Sequence, residues 1–379
     1  MNIKKSSLVL IAILVLVTFV YNRAQTNTLA PYQVLHALSP VTFFPESLDT
    51  SPVSTDSTRV ADTLTYLGNL IREPRFLSGI NIGNATFKLE ETYRNSVVDL
   101  EKATGEVPAI LSVDYLWEQP QGTLSAVNQL FIAHAKQGGL VTVNMHPGNP
   151  FIGGLYERGT GSYKFDDLFV DGTEPNKVWK SVLTYIGDGL KELEDNDVVV
   201  LFRPLHEMNG NWFWWSFGEQ GPISREQYTK LWTSVYDYLI GERELSNLLW
   251  VYSPNSAHNP NDTRAVLELY PGDEFVDVVA LDFYEDTLSD LNRNKSIESL
   301  LSLGKPFGFA EFGPRSRKRQ DSLVINKELL IKVPQTSFLI HWHTNVNEWF
   351  PSPRSIIDNR NAKEYMRSES AITRKEVEN

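Results

Sequence analysis

Eight short apolar runs, set apart by stretches of helical spacing or polar loop, constrain this chain more than any other feature. They are Leu77–Ile82, Ala109–Val113, Leu140–Met145, Val198–Leu205, Leu248–Ser253, Val276–Phe283, Phe307–Phe312 and Phe338–Trp342. Each has the length and β-branched or aromatic content of a strand buried on both faces. Between them, Thr123–Lys136 reads as a helix stopped by Gly138-Gly139, and Asn176–Leu193 is strongly amphipathic. Ser224–Leu239 opens with Ser224 and Gln227 at capping-box spacing and ends before Gly241. Strands alternating with helices over some three hundred residues predict an α/β fold, a (β/α)8 TIM barrel. An open doubly wound sheet is the rival arrangement. No glycine-rich phosphate loop follows the first run, so nucleotide binding has no support.

One stretch, Val198 to Phe217, changes character abruptly. Its apolar start gives way to Arg203, His206 and Glu207, then to the turn residues Asn209, Gly210 and Asn211, then to Trp212, Phe213, Trp214 and Trp215. Indole faces beside a carboxylate suit a carbohydrate. The C–H face of a sugar stacks on the ring, while its hydroxyls need Arg, His, Asn and Glu. The plainer reading is that Trp-rich loops also serve as core plugs and a lone Glu as a salt-bridge partner. Polar groups recur, however, where the other runs end: His146 after the third, Asp282 and Tyr284 at the sixth, Glu311 at the seventh and Trp342 at the eighth. In a barrel these ends share one rim, where catalysis is found. Glu207 and Glu311 would face each other across it, as the two carboxyl groups of a glycoside hydrolase must.

The formal net charge of −12 disfavours nucleic acid and anionic polysaccharides as partners and leaves a neutral one. With no cysteine, disulfides, thiolate metal sites and a Cys nucleophile are excluded. Lys4 and Lys5 ahead of the apolar run Leu8–Val20 have the form of a secretory signal, with a cleavage point near Ala24. The run is short for a membrane span, so a membrane is a partner only if the segment is retained. The expected division is therefore 1–24 signal or anchor, 25–57 a Thr/Ser/Pro-rich linker or N-terminal wrap, and 58–379 the barrel, exported and monomeric. The long connection from His146 to about Pro175 is expected over the catalytic rim. Sequons at Asn84, Asn261 and Asn294 are acceptors for glycans in a eukaryotic host.

The segment Arg203-Pro-Leu-His-Glu-Met-Asn-Gly-Asn-Trp-Phe-Trp-Trp215 resembles the acid/base segment of glycoside hydrolase family 26, the β-mannanase family. The likeness continues in Leu249-Trp-Val-Tyr-Ser-Pro-Asn255, Tyr270-Pro-Gly-Asp, Asp277-Val-Val-Ala-Leu-Asp282 and Pro306-Phe-Gly-Phe-Ala-Glu-Phe-Gly-Pro314, and in the closing Ala371-Ile-Thr-Arg-Lys-Glu-Val377. It implies a retaining double displacement with Glu207 as general acid/base and Glu311 as nucleophile. By the same resemblance His206 lies beside the sugar at the cleavage point and Tyr284 donates to Glu311. Arg203 keeps that nucleophile ionised, Trp212 and Trp342 are sugar platforms, and His146 is a polar contact on the non-reducing side. Asp282 is a supporting or substrate-contacting acid. His341 and His343 depart from the family pattern beside Trp342. No cofactor is expected. A metal bound by the rim histidines is disfavoured, since no metal-ligand spacing is present. The substrate implied is β-1,4-mannan, galactomannan or glucomannan cut internally. β-1,3-Xylan and mixed-linkage β-glucan are alternatives within the family, and a non-catalytic carbohydrate-binding barrel is an alternative outside it.

Overall fold

The computed structural model describes residues 48–377 apart from 56, 85–88, 117–122, 154–163, 217–222, 257–264, 290, 293–294 and 345–351. The expected signal segment, most of the expected linker and the sequons at Asn261 and Asn294 lie outside the described residues, as do the side chain of Asn84 and the middle of the connection after His146.

The eight apolar runs form β1 (Phe76–Asn84), β2 (Ile110–Leu116), β3 (Leu140–His146), β4 (Val200–Pro204), β5 (Leu248–Tyr252), β6 (Val278–Tyr284), β7 (Phe307–Gly313) and β8 (Thr336–His341). Neighbours pair in parallel in chain order, and β8–β1 and β1–β2 pairings close the cylinder. This is a (β/α)8 barrel. A short ninth strand, β9 (Ala371–Ile372), pairs with Phe76–Leu77 of β1, below Gly79 where pairing to β2 begins. The eight-run reading missed it because two residues are too few to carry a period.

The helices follow their sequence signals. Helix α1 (Thr58–Leu70) buries Val60, Leu64, Leu67 and Leu70, one stripe at helical spacing. That stripe joins Leu77, Leu140, Leu201, Leu249 and Val278 in one core cluster, so α1 closes the floor of the barrel. Ahead of it, Val53 N–H donates to Asp277 (2.7 Å) and Tyr236 Oη donates to the Val53 carbonyl (2.9 Å), holding residues 49–54 against the chain. After it come α2 (Thr123–Ala135) and α3 (Glu174–Glu194), the latter capped by Thr173. Helix α4 (Arg225–Tyr236) has the full Ser224/Gln227 capping box and runs on as a π-helical turn, Asp237–Glu242, past the expected end at Gly241. Among the described residues the β5–β6 connection holds a 3₁₀ turn, Asp273–Phe275, and no α-helix.

Residues two apart on a strand share a face. Leu201 and Arg203, Val251 and Ser253, Ala280 and Asp282 therefore all point into the barrel, which is apolar low down and polar at the top. On β7 the same rule puts Gly308 and Ala310 inside and turns Glu311 outward. The ladder breaks there. Leu281 pairs with Phe309 but Asp282 with Glu311, and on the other side Leu339 pairs with Phe309 but His341 with Phe312. One extra residue of β7 is thus accommodated in a β-bulge, which brings Glu311 to the inner face although Ala310 is already there.

Gly308 is fixed by close packing: a Cβ there would meet the Phe338 ring at 2.5 Å. Gly308→Ala is expected to lower stability by roughly 1–3 kcal/mol through overpacking. An unchanged denaturant midpoint would show that Phe338 can step aside.

Candidate active site

The site is built from the upper ends of β3 to β8. Arg203, fully buried, sends its guanidinium across the top of the barrel. Nε donates to Asn144 Oδ1 (2.7 Å), Nη1 to Asp282 Oδ2 (2.7 Å) and Nη2 to Glu311 Oε1. Tyr284 Oη donates to the other oxygen, Glu311 Oε2, at 2.7 Å. His206 Nε2 lies 3.6 Å from Glu311 Oε1. A carboxylate with a guanidinium on one oxygen and a phenol on the other is held in place and aimed.

Glu207 is held by other groups. Burial and then the negative charge of Glu311 push its carboxyl up to about 7, against the opposing pull of hydrogen bonds from Asn255 and Trp212 and of the Arg203 charge. Asn255 Nδ2 donates to Oε1 (2.5 Å) and Trp212 Nε1 to Oε2 (2.8 Å). Asn255 is itself clamped by Asn209, whose side chain bonds both its N–H and its carbonyl at 2.8 Å.

The backbone that carries Glu207 is strained. Leu205 and Glu207 both have φ of +51°, the left-handed region that side-chain-bearing residues avoid. Each residue of the turn is tied down. Leu205 O accepts from Tyr228 Oη (3.0 Å), His206 O from Trp215 Nε1 (2.9 Å), and Glu207 N–H donates to Ser253 O (2.8 Å). Of the aromatic block, Phe213, Trp214 and Trp215 are buried and only Trp212 is half-exposed. Trp214 donates to Pro147 O (2.9 Å) and meets Trp179 of α3 edge-on. The core-plug reading therefore holds for Trp214 and Trp215.

Glu207 and Glu311 line one cavity of about 200 Å³ together with His146, His206, Phe213, Tyr284, Trp342 and Arg354. Trp212 stands behind Glu207 through its hydrogen bond, and Trp342 is the first residue past β8. His146 and His206 meet edge to face at 4.4 Å. Both are kept neutral, His146 lowered to about 3 and His206 well below its usual range, by burial and then by the Arg203 charge. Asp282 does not line the cavity. It accepts from Arg203 and from Ser253 Oγ (2.7 Å), a supporting position. A larger cavity, about 660 Å³, opens at the opposite end of the barrel, where Leu140 begins β3 and Val199 leads into β4; size does not locate the chemistry.

His206, Asp282 and Glu311 bring ligating atoms within 4.8 Å of one another. The Arg203 guanidinium already bonds both carboxylates, so a cation would have to displace it.

Sequence reasoning missed Asp114, Asn144, Asn255 and Arg354. Asp114 stands in the upper half of β2, accepts from Asn144 Nδ2 (2.6 Å), lies 3.7 Å from His146 and is pushed up to about 7 by burial and then by Glu311. Its signal was available: with Ser112 it makes the upper, polar part of an otherwise apolar strand. Asn255 was in a quoted motif without a role.

Asn255→Ala is expected to raise the Glu207 pKa, because the donor it removes favours the charged form. The basic limb of the kcat/KM profile should then move to higher pH. A limb that stays in place would show that Asn255 only fills space.

A sequence model of glycosyl hydrolase family 26 matches residues 53–368. The chain is 36% identical over 296 residues to mannan endo-1,4-beta-mannosidase A and B of Caldalkalibacillus mannanilyticus, covering 73% of this chain and 56% of that one. It is 33% identical over 325 residues to a mannan endo-1,4-beta-mannosidase of Bacillus subtilis, covering 82% of this chain and 86% of that one. A solved Bacillus subtilis mannanase superposes with a TM-score of 0.72 at 29% identity, covering 87% of this chain and 96% of that one. The eight-stranded barrel, the two glutamates in one cavity and these likenesses agree: the chain belongs to glycosyl hydrolase family 26.

Proposed function

We propose that the protein hydrolyses internal β-1,4-mannosidic bonds of mannan, galactomannan or glucomannan by a retaining double displacement. The observation that carries the reading is the pair of glutamates in one cavity, Glu311 aimed by Arg203 and Tyr284 and Glu207 pushed up to about 7. Below that pH Glu207 carries the proton that a leaving oxygen requires.

In the first step Glu311 attacks the anomeric carbon, the glycosidic C–O bond breaks, and the Glu207 proton passes to the departing oxygen. A glycosyl ester to Glu311 remains. In the second step Glu207, now a base, takes a proton from water as the water oxygen attacks the same carbon and Glu311 leaves. Two inversions give retention. Neutral His206 and His146 serve as hydrogen-bonding groups to the sugar, and Trp342 offers a ring face to it. The mannosidase names of the relatives support β-mannan as substrate, and the length of the match to the Bacillus subtilis relative supports activity in this chain alone.

Export and a monomeric state belong to the same proposal. The basic and apolar N-terminal run supports the first. Incubation with linear mannan, galactomannan, β-1,3-xylan and lichenan tests the substrate. A ladder of short manno-oligosaccharides from mannan, β-configured when first released, is the expected result. New reducing ends from xylan or lichenan only would replace mannan, and none from any polymer would overturn the enzymatic reading.

A further inference from the structure

The chain returns one more cation to the catalytic cavity after β8. Arg354 lines that cavity beside Glu311, Tyr284 and Trp342, although it lies twelve residues past Trp342. Its stem runs over Gly313, the last residue of the strand that carries Glu311; a Cβ at Gly313 would meet Arg354 Cγ at 3.1 Å. Its guanidinium carbon lies 4.8 Å from the centre of the Tyr284 ring. The backbone around it is tied down as well. Arg354 N–H donates to Ser352 O (2.8 Å), and Asn359 Nδ2 donates to the carbonyls of Pro353 (2.9 Å) and Ser355 (3.0 Å).

The position is fixed, yet the charge is uncommitted. Arg354 Nε is buried without a hydrogen-bond partner, and the guanidinium makes no ion pair among the described residues. Glu311 does not need it, since Arg203 and Tyr284 already occupy that carboxylate. A planar fork of N–H donors at the edge of a cavity, held by stacking and with no acceptor among the described residues, matches adjacent hydroxyls of a neutral sugar. Its place over Tyr284 and Gly313 puts it on the nucleophile's side, away from the Glu207, Trp212 and Asn255 group that faces the leaving oxygen.

We infer that Arg354 is a substrate-recognition residue, its guanidinium hydrogen-bonding hydroxyls on the glycone side of the cleaved bond. The inference rests on the hydrolase reading above. It assigns to the loop after β8 a part in selecting the sugar, separate from the chemistry done by the strand ends.

The test compares wild type with Arg354→Ala and Arg354→Lys on mannan. Calorimetric binding of mannotriose is measured alongside, in a Glu311→Ala background with and without Arg354→Ala. Loss of charge-assisted hydrogen bonds predicts a KM raised roughly 10- to 100-fold, with kcat within about threefold and mannotriose affinity weakened by a similar factor. Lysine should recover only part of this, being a point donor without the fork. Melting temperatures of the variants, unchanged within a few degrees, exclude misfolding as the cause. A fall in kcat at constant KM would make Arg354 a clamp for the Tyr284 ring, and unchanged constants with unchanged affinity would make it a surface cation. Either result overturns the inference while leaving the hydrolase reading intact. Wild type that does not cleave mannan would instead defeat that reading.

Discussion

Glu311→Ala is expected to lower turnover of mannan by on the order of 10⁴-fold or more, because it removes the only route to the covalent intermediate. Added azide should not bring the rate back to the wild-type level. Such a small anion enters the space of the lost carboxylate but lacks the aim that Arg203 and Tyr284 give to Glu311. The alanine variant also leaves one arm of a fully buried guanidinium without its acceptor, so some loss of stability is expected with it. Glu311→Gln separates the two effects. The amide oxygen can still accept from Arg203, and its activity should be as low as that of the alanine variant while its unfolding midpoint lies closer to wild type. Activity on polymer near wild type in either variant would remove Glu311 from the reaction.

Glu207→Ala should behave differently with different leaving groups. On mannan, whose departing sugar needs a proton, a loss of roughly 10²–10⁴-fold is expected. On an aryl mannobioside whose phenolate leaves unaided, the first step should survive and the glycosyl ester should accumulate, because no base activates water. Azide, which needs no base, should then speed turnover and give a β-glycosyl azide. The pH profile supplies an independent check. Glu207 works as an acid while protonated, so wild-type kcat/KM should fall as pH rises through about 7, the value to which burial and Glu311 push this carboxyl. In the alanine variant that limb should be gone on the activated substrate. A limb that persists near pH 7 would have to be assigned elsewhere, and Asp114, also pushed up to about 7, is the group in the described site to examine next.

The barrel was legible because its evidence is repeated. Eight runs buried on both faces, several followed by a residue of chemical use, leave few arrangements. That Glu207 and Glu311 meet in one cavity was legible for the same reason, each standing at a strand end inside a distinctive motif. What was not legible depends on geometry that local pattern does not encode. Nothing in Leu205 or Glu207 announces a positive φ, which is imposed by Tyr228, Trp215 and Ser253 from elsewhere in the chain. Composition treats Trp212, Trp214 and Trp215 alike, yet one indole serves Glu207 while the other two seal the loop against Pro147 and the turn at His206. Arg354 gave no signal, because its importance comes from folding back over Gly313. Asp114 was passed over although its strand did offer the cue.

The single additional residue accommodated near Ala310 has an implication for reading relatives of this chain. Because that irregularity, and not the identity of the side chain, decides which way position 311 looks, the carboxylate's access to substrate is a matter of where along the strand the bulge falls. A relative that accommodated its extra residue one place later, after the glutamate and not before it, would keep both acids in its sequence. It would direct the second of them at the surrounding helices, and an inventory of catalytic letters would score it as intact.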